Sequence, residues 1–305
     1  MASRTTNTLR PDNSVVANIR AWAQFIEDTL VTSGGWVVTG DTGQTLPSAL
    51  TVPGGTNTKV GYRIYRMADS LQATFPVFVR VDYGSGAAAA FPGVWFTIGK
   101  GSDGAGTITN QLYTPAASPS VGSNGSSTSQ TNNSYASADT ARFAVCLFVQ
   151  AVSNTYFVAF SLERTKNSSG ADTGDGLLFV RGGGLVDGGS SASLSRNRYI
   201  IYAGGTQPTE ETCVSFVLTV QNPSQTFTPG DVGVGILIPF KGVAQQPGTN
   251  WMFTNTSDVS VEGFINLTLY GQTRTYQQLS LLVPTKRLTG SQQQDSNARC
   301  LMRYD

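Results

Sequence analysis

The chain contains no histidine. That absence removes every Ser-His-Asp and Cys-His arrangement and takes away the commonest metal ligand. Cysteine is scarce: Cys146, Cys213 and Cys300 are the three in 305 residues, and no two form a C-x-x-C pair. Three thiols make neither a disulfide framework nor, alone, a zinc site. Cys146 and Cys213 lie in strand-like runs and read as buried small hydrophobes; a single disulfide among the three stays open, against the reducing setting of cytoplasmic synthesis.

Charge is thin as well. Charged residues make up 13% of the chain, where an average soluble domain carries about 25%. The surface must therefore be covered mainly by Ser, Thr, Asn, Gln and Gly, as in a secreted protein or a subunit packed against neighbours. Only five of the 20 basic residues are lysine. Arginine over lysine is the composition of buried protein–protein contacts, although codon or lineage bias gives the same ratio. A net charge of +1 argues against long-range attraction to DNA or anionic lipid, so neither nucleic acid nor membrane is expected as a partner. No apolar run approaches the ~20 residues of a membrane span. The opening MASRTTNTLRPDNSVV has no apolar core of the secretory kind, and cytoplasmic synthesis is expected.

What is present reads as strands behind one helix. Asp12, Asn13 or Ser14 can cap that helix after Pro11, and Ile19, Trp22, Ala23, Ile26 and Leu30 follow helical spacing. Val15, Val16 and Phe25 widen the apolar stripe, Gly34-Gly35 stops it, and Trp36 is expected to pack the helix onto a sheet. Residues 77–83 (VFVRVDY) alternate, with Val77, Val79, Val81 and Tyr83 on one face. Residues 142–152 (RFAVCLFVQAV) are apolar on both faces and should be central, joined to 156–163 by a hairpin turn at 153–155. Further strands are expected at 177–181, 198–203, 213–220, 232–240, 261–270 and 276–283.

Short β-rich runs between 34 Gly and 13 Pro, without βα alternation, predict a mainly-β fold. The expected form is an antiparallel β-sandwich or jelly-roll-like domain preceded by one N-terminal α-helix. The expected organisation is an N-terminal arm and helix over 1–50, a β-sandwich over 51–290 and a C-terminal strap over 291–305. Residues 114–139 (TPAASPSVGSNGSSTSQTNNSYASAD) are low in complexity and read as a long polar loop. The segment 292–305 has too few apolar residues for a core of its own, and reads as a strap onto a neighbouring subunit.

The chemistry candidates are weak. Gly99-Lys100-Gly101-Ser102-Asp103-Gly104 satisfies the G-x-G-x-x-G pattern after a strand, but a dinucleotide loop must open a helix. Here Thr107-Ile108-Thr109 follows, which predicts a hairpin with a glycine-rich turn. Asp103, Asp172 and Asp175 lie in Gly-rich loops and could do acid–base work only if two flanked a sugar ring; Asp in a turn normally bonds nearby backbone. Residues 172–176 (DTGDG) could be read as a calcium loop but lack the EF-hand register and its distal Glu. Tyr62, Tyr65, Trp95 and Trp251 could stack on sugars, although strand aromatics are more often core. No catalytic, cofactor-binding or metal-ligating residue is assigned, and no cofactor is expected.

One pattern goes further. An N-terminal helix is followed by GGWVVTGDTGQ (34–44), GYRIYRMADSLQATFPVFVRVDYGSG (61–86) and PGVWFTIGKGSDGAGTIT (92–109). In order and spacing this third of the chain resembles a family of uncharacterised virion proteins encoded by tailed bacteriophages. The resemblance implies a non-enzymatic structural component of the virion, in head, neck, tail or baseplate, made in the host cytoplasm. It would act by packing against copies of itself, as a trimer or ring, and against other virion proteins. The alternative is an adsorption protein whose loops grip a host surface glycan.

Overall fold

Successive side chains of a strand face opposite ways, so alternation buries one face and doubly apolar runs sit at the centre. The computed structural model describes residues 3–181 apart from 87, 115–120, 123–129, 150–157 and 168; beyond 181 it describes 196–201, 209–212, 234–236, 251–254, 264–269, 272–282, 285–286, 294–295 and 299–305. The chain begins with β1 (Ser3–Leu9), then α1 (Val16–Asp28), which runs on into a π-helical turn at Thr29–Ser33. β2 (Val37–Val38) and a 3-10 turn at Pro47–Ala49 lead to β3 (Lys59–Arg66), β4 (Phe78–Ser85), β5 (Pro92–Ser102) and β6 (Ile108–Tyr113). Next come β7 (Val121–Gly122), β8 (Asn132–Asp139), β9 (Arg142–Val149), β10 (Val158–Lys166), β11 (Asp172–Arg181), β12 (Arg196–Ile201) and β13 (Thr209–Thr212). The remainder is β14 (Val234–Ile236), β15 (Trp251–Thr254), β16 (Phe264–Leu269), β17 (Gln272–Leu282), β18 (Thr285–Lys286), β19 (Gln294–Asp295) and β20 (Arg299–Arg303).

These strands pair antiparallel in three larger sheets. One runs β1-β8-β9-β10-β11-β12-β13; a second runs β2-β3-β4-β5-β6 with β7 against β5; a third runs β14-β15-β20-β17-β16, and β18 and β19 pair separately. The first two sheets and α1 share one core, so the fold is the mainly-β, antiparallel sandwich with an N-terminal helix that the sequence predicts. Val77, Val79, Val81 and Tyr83 all face inward. Phe96 of β5 meets Phe160 of β10 at 4.8 Å between ring centroids. From α1, Ile19, Trp22, Ala23, Phe25 and Ile26 enter the same core.

Several expectations change. No side chain caps α1, whose N-cap is Val15. Asp12 Oδ1 instead accepts from the Ser14 amide, while Asn13 donates to the Gly84 and Phe91 carbonyls and accepts from Trp22 Nε1. Asn13 thereby ties the start of the helix to the second sheet. Val15 and Val16 are exposed, because they precede the turn at which the stripe reaches the core. The helix stop does fall at Gly34-Gly35, with Gly35 at φ +71°. Trp36 reaches the other sheet: its Nε1 donates to the Asp139 carbonyl at 2.8 Å and its ring meets Phe143 edge-on at 5.3 Å.

The polar loop expected through 139 ends early, since Asn132–Asp139 is β8, an inner strand between β1 and β9. Its small residues answer a steric demand. The end of the helix presses on it, and a Cβ on Gly34 would lie 2.8 Å from Ala138 Cβ. β10 and β11 extend beyond the expected bounds, and Asp172–Gly176 lies in β11, not in a loop. The expected strap becomes part of the chain's own third sheet: β20 lies between β15 and β17, and the Tyr304 amide donates to the Thr275 carbonyl. The turn at 153–155, the strand at 213–220 with Cys213, and most of 232–240 lie outside the described residues. Cys146 is buried, as its strand-like run predicts. Among the described residues no helix is long and apolar enough to cross a membrane.

Candidate functional site

Among the described residues, two places gather polar side chains. The first is built from the segments that carry the virion-protein resemblance. β5 and β6 form the expected hairpin, Ser102 opposite Ile108. Its turn is held by Asp103, whose Oδ1 accepts from the amides of Ala105 and Thr107 at 2.8 Å each. Those bonds hold this exposed carboxyl below its ordinary value. The 40–44 loop lies against the turn. Asp41 accepts from the Ser102 hydroxyl at 2.8 Å and from the Gly106 amide at 3.2 Å, and the Thr42 amide donates to the Gly104 carbonyl at 2.9 Å. Burial opposes the charge of Asp41, yet the bonds from Thr39, Ser102, Gly106 and Gly104 outweigh it and depress its pKa. Gln44 ties its own loop by donating to the Thr39 and Asp41 carbonyls, and accepts from the Ile64 amide of β3.

Tyr62 and Arg80 close the assembly. The Tyr62 hydroxyl donates to the Thr42 carbonyl, Arg80 Nη1 donates to the Gly106 carbonyl, and the guanidinium lies 3.7 Å from the Tyr62 ring centroid. Gly106 has φ +102°, and a Cβ there would stand 2.1 Å from the Tyr62 oxygen, so only glycine fits. Arg80 also forks onto Asp82, which Lys59 approaches at 3.2 Å.

Asp69 extends the same logic across the sandwich. Its carboxylate takes a two-pronged contact from Arg164, at 2.8 and 3.2 Å, and Arg164 is fully buried in β10. Gln72 beside it accepts from the Val77 amide. Asp41, Gln44, Gln72 and Asp103 thus spend polar atoms within the signature segments, while Asp69 spends its carboxylate on Arg164 of β10.

The sugar-stacking candidates fare accordingly. Tyr65 and Trp95 are buried, Tyr62 carries Arg80 on its ring, and the side chain of Trp251 lies outside the described residues. Asp172 pairs with Lys166 across the β10–β11 turn, while the Asp175 amide donates to Thr173 Oγ1. Asp103 is the turn residue described above, so the structure does not bring the three aspartates into one site. Among the described residues no group of three or more potential metal ligands is clustered.

The second place was not legible in the sequence. A cleft of about 230 Å³ opens where the β8–β9 and β10–β11 turns meet β17 and β20. Its charged lining is Arg142, Lys166, Arg274 and Arg303 with Asp139 and Asp172. Arg142 Nε lies 3.0 Å from Asp139, and Arg142 Nη2 donates to Ser137 Oγ and to the main-chain oxygen of Asp305. Arg274 donates to Gln272 Oε1, and Arg303 to Asp305 Oδ1. Burial, then the charge of Arg303, pushes Arg142 down to about 10 despite Asp139, Glu163 and Asp305. Burial and Arg303 lower Arg274 in the same way. The four cations come from four strands or turns, each flanked by unremarkable residues, so only the fold assembles them.

No protein-family model, curated protein or solved structure matches the chain.

Proposed function

We propose that this protein is a non-enzymatic structural subunit of a tailed-bacteriophage virion, working through packing against copies of itself and other particle proteins. The observation that carries the reading is the internal use of the signature residues. Asp41, Gln44, Asp69, Gln72, Ser102 and Asp103 all bind loops and strands of the same chain. That arrangement makes a rigid body, and it supports a scaffold over an enzyme. Among the described residues β1 and β16 are outermost in their sheets, edges suited to addition of a neighbour's strand. Phe264 at the β16 edge and Tyr304, both exposed, form an edge-to-face pair at 5.2 Å and add an apolar contact.

Immunogold electron microscopy of purified particles tests the reading. Labelling at one repeated position on head, neck, tail or baseplate is expected; particles that lack the protein overturn it. A glycan array on the isolated subunit separates the rival class. A scaffold shows no saturable binding, whereas saturable binding turns the assignment to an adsorption protein.

A further inference from the structure

We infer that the junction between the first and third sheets is an acid-released seam, which holds the third sheet against the first near neutral pH and lets it go when its carboxylates are protonated. The inference is independent of the virion assignment, since it rests on the two faces of the first sheet. Those faces are built differently. Phe143 and Val145 of β9 and Phe160 and Leu162 of β10 point into the apolar core shared with the second sheet and α1. The residues between them point the other way. On that side Ser137, Arg142, Ser161 and Glu163 are also buried, and what meets them is the third sheet. Ser137 Oγ donates to the Tyr304 carbonyl at 3.3 Å, and Arg142 Nη2 to the main-chain oxygen of Asp305. Glu163, opposite Arg142 in the β9–β10 register, acts electrostatically on the buried Arg274 and Tyr276 of β17.

The seam is therefore ionic where the other core is apolar, and its side-chain charges balance. Arg142, Lys166, Arg274 and Arg303 meet Asp139, Glu163, Asp172 and Asp305. Asp139 takes Arg142 at 3.0 Å, Asp305 takes Arg303 at 3.2 Å, and Asp172 takes Lys166 at the mouth of the cleft. Buried pairs of this kind add little net stability, because desolvation offsets their attraction, but loss of one partner leaves the other charged and poorly solvated. Below neutral pH the balance fails in one direction only. Arginine keeps its proton while carboxylates gain one, so the attraction is present near neutral pH and disappears as pH falls. Protonation of Asp139, Glu163 and Asp305 leaves the guanidiniums of Arg142, Arg274 and Arg303 repelling one another across the seam. The core on the opposite face of the first sheet is held chiefly by apolar side chains, which do not titrate, so the third sheet leaves first.

Hydrogen exchange of the full chain, read by mass spectrometry between about pH 7.5 and 4 and corrected for the pH dependence of chemical exchange, tests the seam. β4 and β5 serve as the reference within the same molecule. β17 and β20 should lose protection at a higher pH than β4 and β5, and regain it on return to neutral pH. Glu163→Gln removes one negative charge from the seam. It should speed exchange in β17 and β20 about tenfold or more at neutral pH and move their opening to higher pH. Asp28→Asn on α1 should do neither. In the unaltered chain, loss of protection in all four strands together overturns the proposal, and so does protection of β17 and β20 that persists to the acid end of the series. A folded Glu163→Gln chain that exchanges like the unaltered one overturns it as well.

Discussion

Asp69 and Arg164 show what a single pair does when it is buried. Arg164 is fully buried and Asp69 nearly so. Removing one partner leaves the other charged in a medium that solvates it poorly. Asp69→Ala should therefore cost about 3–5 kcal/mol, read from urea denaturation. Adding Arg164→Met should recover much of the loss; a double variant as unstable as the single one would show that the pair acts through packing instead. Asp41 gives a pH signature. Its folded pKa lies below its ordinary value of 3.8, so its stabilising effect is full above the unfolded value and disappears as pH falls through the folded one. Between pH 6 and 3 the unaltered chain should lose more stability than Asp41→Asn. Urea midpoints across that range test it, and parallel profiles would remove Asp41 from the account.

Among the elements, β9 carries the sharpest departure from regular geometry. Phe148 has φ +60°, a conformation rare for a bulky residue. The register slips there, with Asn133 opposite Val149 and Tyr135 opposite Cys146, so two residues face one. Ser134 makes the bulge tolerable, its Oγ accepting from the Phe148 amide at 3.1 Å in a buried setting. Ser134→Ala should cost about 1–3 kcal/mol by orphaning that amide. Thermal unfolding measures it, and a shift no larger than that of an exposed Ser→Ala elsewhere would refute it.

Elements with a strong apolar pattern, alternating in 77–83 and two-faced in 142–152, were legible in advance. β4 and β9 appear where their apolar pattern puts them, and the Gly-rich turn between β5 and β6 follows from the β-branched residues behind it. β8 was hidden because NNSYASAD is small and polar, and its burial comes from neighbours on both sides and from the helix end above it. β20 was hidden for a related reason: a short segment poor in apolar residues needs no core of its own when it fills a gap between two other strands. The clamp at Asp41 was visible as a motif but not as a contact. The charged cleft was invisible, since Arg142 and Arg303 stand far apart in sequence and only the third sheet brings them together.

For the whole molecule, the position of β20 changes what a truncation means. Deleting 299–305 removes a central strand and the bonds of Tyr304 and Asp305 to β17. Loss of the third sheet is expected, seen as reduced strand signal in circular dichroism and as aggregation. A truncated chain that stays soluble and fully folded, yet is missing from particles, would restore a strap role for this segment.

β8 also sets an order of events. Residues 3–9 find their partners only when 132–139 emerge, and Ser137 Oγ bonds the Tyr304 carbonyl 167 positions later. At roughly 5–20 residues per second of synthesis, the first strand waits several seconds for its partner. The last contact waits for nearly the whole chain. Pairings so distant in sequence make folding slow. During that interval β1 is a nascent edge open to a neighbouring copy's β8, which makes strand exchange between chains growing side by side the characteristic folding error of this architecture.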